Sequence, residues 1–78
     1  MFGHEEVEYE AYLSKSELAE LFRKLADQVE REGKVEVSTQ DGNISLEFTE
    51  PVEVKVEYDG GKRKLKIKAE FRQRAKLL

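Results

Sequence analysis

From Lys34 to Phe71 apolar and charged residues alternate with hardly a break: Val35 and Val37, then Ile44, Leu46 and Phe48, then Val52, Val54, Val56 and Tyr58, then Leu65, Ile67, Ala69 and Phe71. Successive side chains of a strand point to opposite faces, so a period of two predicts antiparallel strands with one dry face and one wet face. Residues Glu6 to Leu13 alternate as well, with Val7, Tyr9, Ala11 and Leu13 on one side and Glu6, Glu8, Glu10 and Tyr12 on the other, which predicts a further strand at the start. Between the two regions the period changes. Leu18, Leu21, Phe22, Leu25 and Val29 recur at helical spacing, and Ala19 and Ala26 let the backbone approach a sheet. Ser14 with Glu17 three residues later fits a capping box, so the helix should begin at about Lys15, and Gly33 is its expected stop. Glu20 with Lys24 and Asp27 with Arg31 stand at i, i+4 on its exposed side.

Turn chemistry gives the expected pairing. Asp41-Gly42 is a two-residue hairpin signal that would oppose Gln40 to Asn43, Val37 to Leu46 and Val35 to Phe48. Pro51 separates the next two strands, as proline does at a strand start or a sheet edge. A turn at Gly60-Gly61 would oppose Val56 to Leu65, Val54 to Ile67 and Val52 to Ala69, with Glu57 facing Lys64 and Glu53 facing Lys68 on the wet side. Glu6, Glu8 and Glu10 share one face of the first strand, and Lys64, Lys66 and Lys68 share one face of the last. Placed side by side these rows would neutralise each other, which predicts a sheet order of 2-3-4-5-1 counted along the chain. The rival is a parallel pairing of the first strand with the second through a right-handed crossover, where Glu36 would add repulsion. The expected fold is α+β: a five-stranded antiparallel sheet with one helix packed on one face, elements in the order β-α-β-β-β-β, and a core between the helix and the inward rows.

Composition then limits what such a fold can do. Seventy-eight residues make one domain, near the size below which a single core rarely supplies more than about 3–5 kcal/mol without disulfides, a metal or self-association. There is no cysteine, which excludes disulfides and thiolate zinc sites, and His4 is the only histidine. Charged residues make up 40% of the chain, with no tryptophan and one asparagine, Asn43; that bias is thermophile-like. No apolar run approaches the roughly 18 residues that span a bilayer, and the first twelve residues hold four glutamates instead of a basic region and an apolar stretch. The expectation is a soluble cytoplasmic protein that does not engage membranes.

The net charge of −3 hides an asymmetry: residues 1–59 hold 16 acids and 6 bases, residues 60–78 hold 8 bases and one acid. Such segregation points to pairing between the two parts or with an external polyanion. The candidate contact surface for nucleic acid or a partner is Lys64, Lys66, Lys68, Arg72, Arg74 and Lys76, with Lys62 and Arg63 beside it. Alternate residues on a strand stand about 7 Å apart, roughly the spacing of phosphates along an extended nucleic-acid strand. Single-strand binders also stack bases on aromatic rings, and Tyr12 is the one aromatic expected on the wet face, among glutamates that repel a polyanion.

Other chemistry is thinly represented. Seventeen carboxylates alternate with apolar residues as a solvated sheet face would, so no catalytic pair stands out. His4 with Glu5 and Glu6 is a weak metal-binding trio in a terminal segment. Ser14 and Ser16 have no nucleophile context, and Gly60-Gly61-Lys62 lacks the loop length and following helix of a phosphate-binding P-loop. The segment 72–78 is a basic tail ending in Leu77-Leu78, which could dock on a partner or a second copy. Lys34 to Thr39 is the expected outer strand, partly guarded against edge pairing by Lys34 and Glu36.

Ser14, Glu17, Leu18, Ala19, Leu21, Leu25, Ala26 and Asp27, followed by Gly33 and the strand Leu65-Lys66-Ile67-Lys68-Ala69-Glu70-Phe71, carry a family resemblance. The chain is similar over about residues 5–71 to the amphi-Trp domain family of small, largely archaeal, prokaryotic proteins. The resemblance implies the fold above, with residues 1–71 as the domain, and brings no known activity, cofactor or partner. The family takes its name from a tryptophan near the end of the last strand, and Phe71 stands at the equivalent place. If the role there needs only apolar bulk, phenylalanine can fill it; if it needs the indole N–H, the role is lost.

The functional expectation is a small non-catalytic interaction module, self-associating as a homodimer or binding a protein partner, with no cofactor and no metal. The alternative is a nucleic-acid-binding domain using the C-terminal Lys/Arg row. An enzyme would require a concave pocket collecting carboxylates of raised pKa.

Overall fold

The computed structural model describes residues 6–40 and 42–73. One helix, α1 (Lys15–Glu32), is followed by four strands, β1 (Lys34–Thr39), β2 (Gly42–Glu47), β3 (Glu53–Asp59) and β4 (Lys64–Glu70). α1 starts and stops at the residues the sequence marks. The Ser14 hydroxyl accepts from the Glu17 N–H at 3.2 Å, while the Glu17 carboxylate accepts from the Ser14 N–H at 2.8 Å. Gly33 ends the helix at φ 64°, ψ 29°, a left-handed conformation that costs any residue with a Cβ about 1–2 kcal/mol. Of the two i, i+4 pairs, Asp27 and Arg31 meet at 3.0 Å.

The α+β class stands, but the single five-stranded sheet does not. The strands form two separate antiparallel hairpins, β1–β2 and β3–β4. Residues 6–14 are in no strand, so the acidic row of Glu6, Glu8 and Glu10 does not lie along β4, and the 2-3-4-5-1 order fails with it. The magnitudes account for this. An exposed ion pair is worth about 0–1 kcal/mol, whereas fixing the backbone costs about 1–2 kcal/mol per residue. Three such pairs cannot order eight residues without apolar burial.

The second break falls between β2 and β3, where Pro51 has no N–H to give to a ladder. The hairpins touch at their bases instead. The Thr49 N–H donates to the Arg72 carbonyl at 2.8 Å, and the rings of Phe48 and Phe71 pack at 5.1 Å between centroids, tilted by 60°. Phe48 also donates its N–H to the Gly33 carbonyl at 3.2 Å, tying the end of the first hairpin to the end of the helix.

Both registers lie two residues from those expected. In the first hairpin Thr39 opposes Gly42, Val37 opposes Ile44 and Val35 opposes Leu46. The Thr39 hydroxyl donates to the Gly42 carbonyl at 2.9 Å, and Gly42 sits at φ 140°, so the glycine opens β2 rather than completing the turn; Asp41 lies outside the described residues. In the second hairpin Asp59 opposes Lys64 across a loop of Gly60 to Arg63, because the Asp59 carboxylate accepts from the N–H groups of Gly61 at 3.0 Å and Lys62 at 3.2 Å. Arg63 takes the left-handed position at φ 53°. A shift of two keeps every side chain on its expected face and changes only its partner across the strand.

The expected core is the largest departure. α1 packs on β1 and does not reach β3 or β4. Leu21, Leu25 and Val29 of α1 and Val35 and Val37 of β1 are half-buried, and no hydrophobic side chain among the described residues is fully buried. Among the described residues the one that is buried is Gln28, whose side-chain carbonyl accepts from the Glu36 N–H at 2.9 Å. That bond occupies a backbone donor on β1 and blunts the strand proposed as an open edge.

Candidate functional site

The basic row is built as a strand face. Lys64, Lys66 and Lys68 alternate along β4 and so project to one side, opposite Asp59, Glu57 and Lys55 of β3. The expected Glu57–Lys64 and Glu53–Lys68 oppositions are replaced by Glu57–Lys66 and by two like-charged pairs, Glu53–Glu70 and Lys55–Lys68. Those four residues line one shallow depression, with the two acids at one end and the two lysines at the other, so each charge has opposite neighbours along its strand and on the diagonal. Glu70 is held below the ordinary carboxylate pKa first by its hydrogen bond to Arg72, with the charges of Arg72, Lys68 and Lys55 adding to it. The Arg72 Nε donates to the Glu70 carboxylate at 2.9 Å, and its terminal nitrogen bonds the same oxygen.

Four of the six candidate contact residues are therefore described, and three of them form one row while Arg72 is engaged with Glu70. Arg74 and Lys76 lie outside the described residues, as do His4, Glu5 and Leu77-Leu78. The wet face of the hairpin carries Glu53, Glu57, Asp59 and Glu70 against Lys55, Lys64, Lys66 and Lys68, so it is balanced in charge. Tyr12 is 92% exposed and belongs to the N-terminal segment that is in no strand, so it is not on the lysine face of the hairpin. Among the described residues no three His, Cys, Asp or Glu side chains are grouped so as to hold a metal ion, and no helix is long and apolar enough to cross a membrane.

The opposite face of the same hairpin is the larger feature. Val54 opposes Ala69, Val56 opposes Ile67 and Tyr58 opposes Leu65, which places all six on one side. The large ones are exposed to between 59% (Leu65) and 70% (Tyr58). A second apolar surface lies on the other half of the chain, where Leu18 and Phe22 of α1 are also exposed. There, Tyr9, Ala11 and Leu13, the helix residues Leu18, Leu21 and Leu25, and Val37 of β1 line an open groove of about 580 Å³. The sequence held a signal for these surfaces: one helical stripe of five residues is narrow cover for four alternating strands.

The family model of the Amphi-Trp domain matches residues 2–72. The chain belongs to the Amphi-Trp domain family. No curated protein and no solved structure matches it. Within this Amphi-Trp domain the aromatic near the end of β4 has a visible structural role. Phe71 packs on Phe48 where the two hairpins meet, a contact that apolar bulk supplies without an indole N–H.

Proposed function

We propose that this Amphi-Trp domain is a small non-catalytic protein-interaction module of the cytoplasm, acting through its apolar faces. The observation that supports the reading most is the exposed row of Val54, Val56, Tyr58, Leu65 and Ile67 on a hairpin that no other element covers among the described residues. Contiguous apolar surface of this kind marks association sites, while singly scattered apolar residues do not. The cytoplasmic setting rests on the charge-rich, cysteine-free composition.

Nucleic-acid binding remains the second reading, favoured by the Lys64, Lys66 and Lys68 row and opposed by the four carboxylates on the same face and the Glu70 clasp on Arg72. Light scattering at low and high salt, with and without a short mixed-sequence oligonucleotide, separates the two. A mass above the 9.1 kDa chain that resists salt and ignores the oligonucleotide is the expected result. A mass that rises only with oligonucleotide at low salt would transfer the function to the lysine row.

A further inference from the structure

We propose that the occupant of both apolar surfaces is a second copy of this chain, with the β3–β4 hairpin of each copy laid on the α1 groove of the other. The inference rests on the interaction-module reading and names its partner. Three observations support a second copy.

The first is area. The chain exposes 7761 Å², whereas a compact monomer of its 9.1 kDa mass exposes about 4,900 Å². The difference, on the order of 2,000–3,000 Å² per chain, is enough to cover the roughly 1,000–2,500 Å² that each partner gives up in an obligate homodimer.

The second is reciprocity of shape. A twofold dimer uses the same patch on both subunits, so a donor surface and an acceptor surface must both exist on one chain. The hairpin offers a flat apolar face two strands wide and about 23 Å long, from seven residues per strand. The groove runs beside a helix of 18 residues, about 27 Å long. Its floor of Leu13, Leu18, Leu21, Leu25 and Val37 is apolar like the hairpin face.

The third is charge. Glu17, Glu20 and Glu36 outnumber Lys24 around the groove, and residues 6–36 hold nine acids to five bases. On the hairpin four lysines and four carboxylates share the face turned away from the groove and balance, which leaves Lys62 and Arg63 as the basic excess, in the loop at its tip. Part of the charge segregation along the chain, the Lys62-Arg63 loop against Glu17, Glu20 and Glu36, would then act between copies. Only the basic tip loop can meet the acidic rim of the groove, and that match repeats across the twofold axis.

The absence of native cysteine allows a direct test. Phe22→Cys on α1 and Ile67→Cys on the hairpin, on differently tagged full-length chains, are mixed in equal amounts and oxidised. The expected product is the mixed disulfide between copies, at least tenfold over that formed when Lys66→Cys, on the opposite face of β4, replaces Ile67→Cys. If Phe22→Cys lowers the helical circular-dichroism signal, Leu18→Cys takes its place. Dominance of helix-to-helix disulfides, or equal yields from Ile67→Cys and Lys66→Cys, would overturn this pairing and leave self-association standing. A chain that stays at single-chain mass would overturn the second copy outright. In that event binding of the dye anilinonaphthalene sulfonate to the unmodified monomer would keep the interaction-module reading, and absence of dye binding would remove that reading too.

Discussion

Ser14, Glu17 and Gly33 set the helix ends by backbone satisfaction rather than by packing. Glu17 lies below the ordinary glutamate pKa first because of its hydrogen bond to the Ser14 backbone, then because of the Ser14 hydroxyl. Its folded-state pKa is depressed, so its contribution is fully present above the ordinary value near 4.5 and is lost as pH falls through the lowered one. Ser14→Ala should cost about 1 kcal/mol, lowering the thermal midpoint by about 4–8 °C at neutral pH. The difference between the two proteins should shrink as the solution is acidified below that range, and circular dichroism across pH 2–7 checks both points. An undiminished difference in acid would mean that the cap does not depend on the ionised carboxylate. These residues were legible because capping uses fixed spacings: a serine three residues before a glutamate, and a glycine after the last turn.

Four of the five expected strands and their facing were equally legible, because a period of two survives any register error of two residues, whereas the same alternation over residues 6–13 forms no strand. Register itself was not, since it is decided by side chains that bond to the loop. Asp59 draws Gly61 and Lys62 onto its carboxylate, and Thr39 closes on Gly42, each moving the pairing by two. The lysine row was therefore placed on the right face with the wrong partners. The hairpin junction was invisible for a related reason: Phe48 and Phe71 both look like the inward ends of strands, yet they meet each other where the ladders stop. Phe71→Ala should loosen this junction. Amide exchange at Thr49, whose N–H bonds to Arg72, should accelerate at least tenfold while β1–β2 amides keep their protection. Phe71→Trp, which keeps apolar bulk, should leave Thr49 close to its original rate. Equal effects on both hairpins would show that the contact supports the whole domain rather than the junction.

At the scale of the molecule the chain is extended, with a radius of gyration of 15.1 Å where a compact domain of this length has about 11.5 Å. One helix over one sheet is the expected fold only where every apolar row of a chain is covered by that chain. Nothing in a single sequence distinguishes a row buried within a molecule from a row buried between molecules, since both obey the same alternation. What the sequence did carry was the imbalance: four alternating strands, one amphipathic helix, and acid gathered ahead of base along the chain. If a partner surface completes the apolar burial that is the main driving force for folding, folding and association are coupled. The most direct test is the thermal unfolding midpoint measured over a hundredfold range of protein concentration. If second copies complete the fold, the midpoint rises steadily with concentration; a midpoint that does not move, with the chain at single-chain mass throughout, would contradict the account.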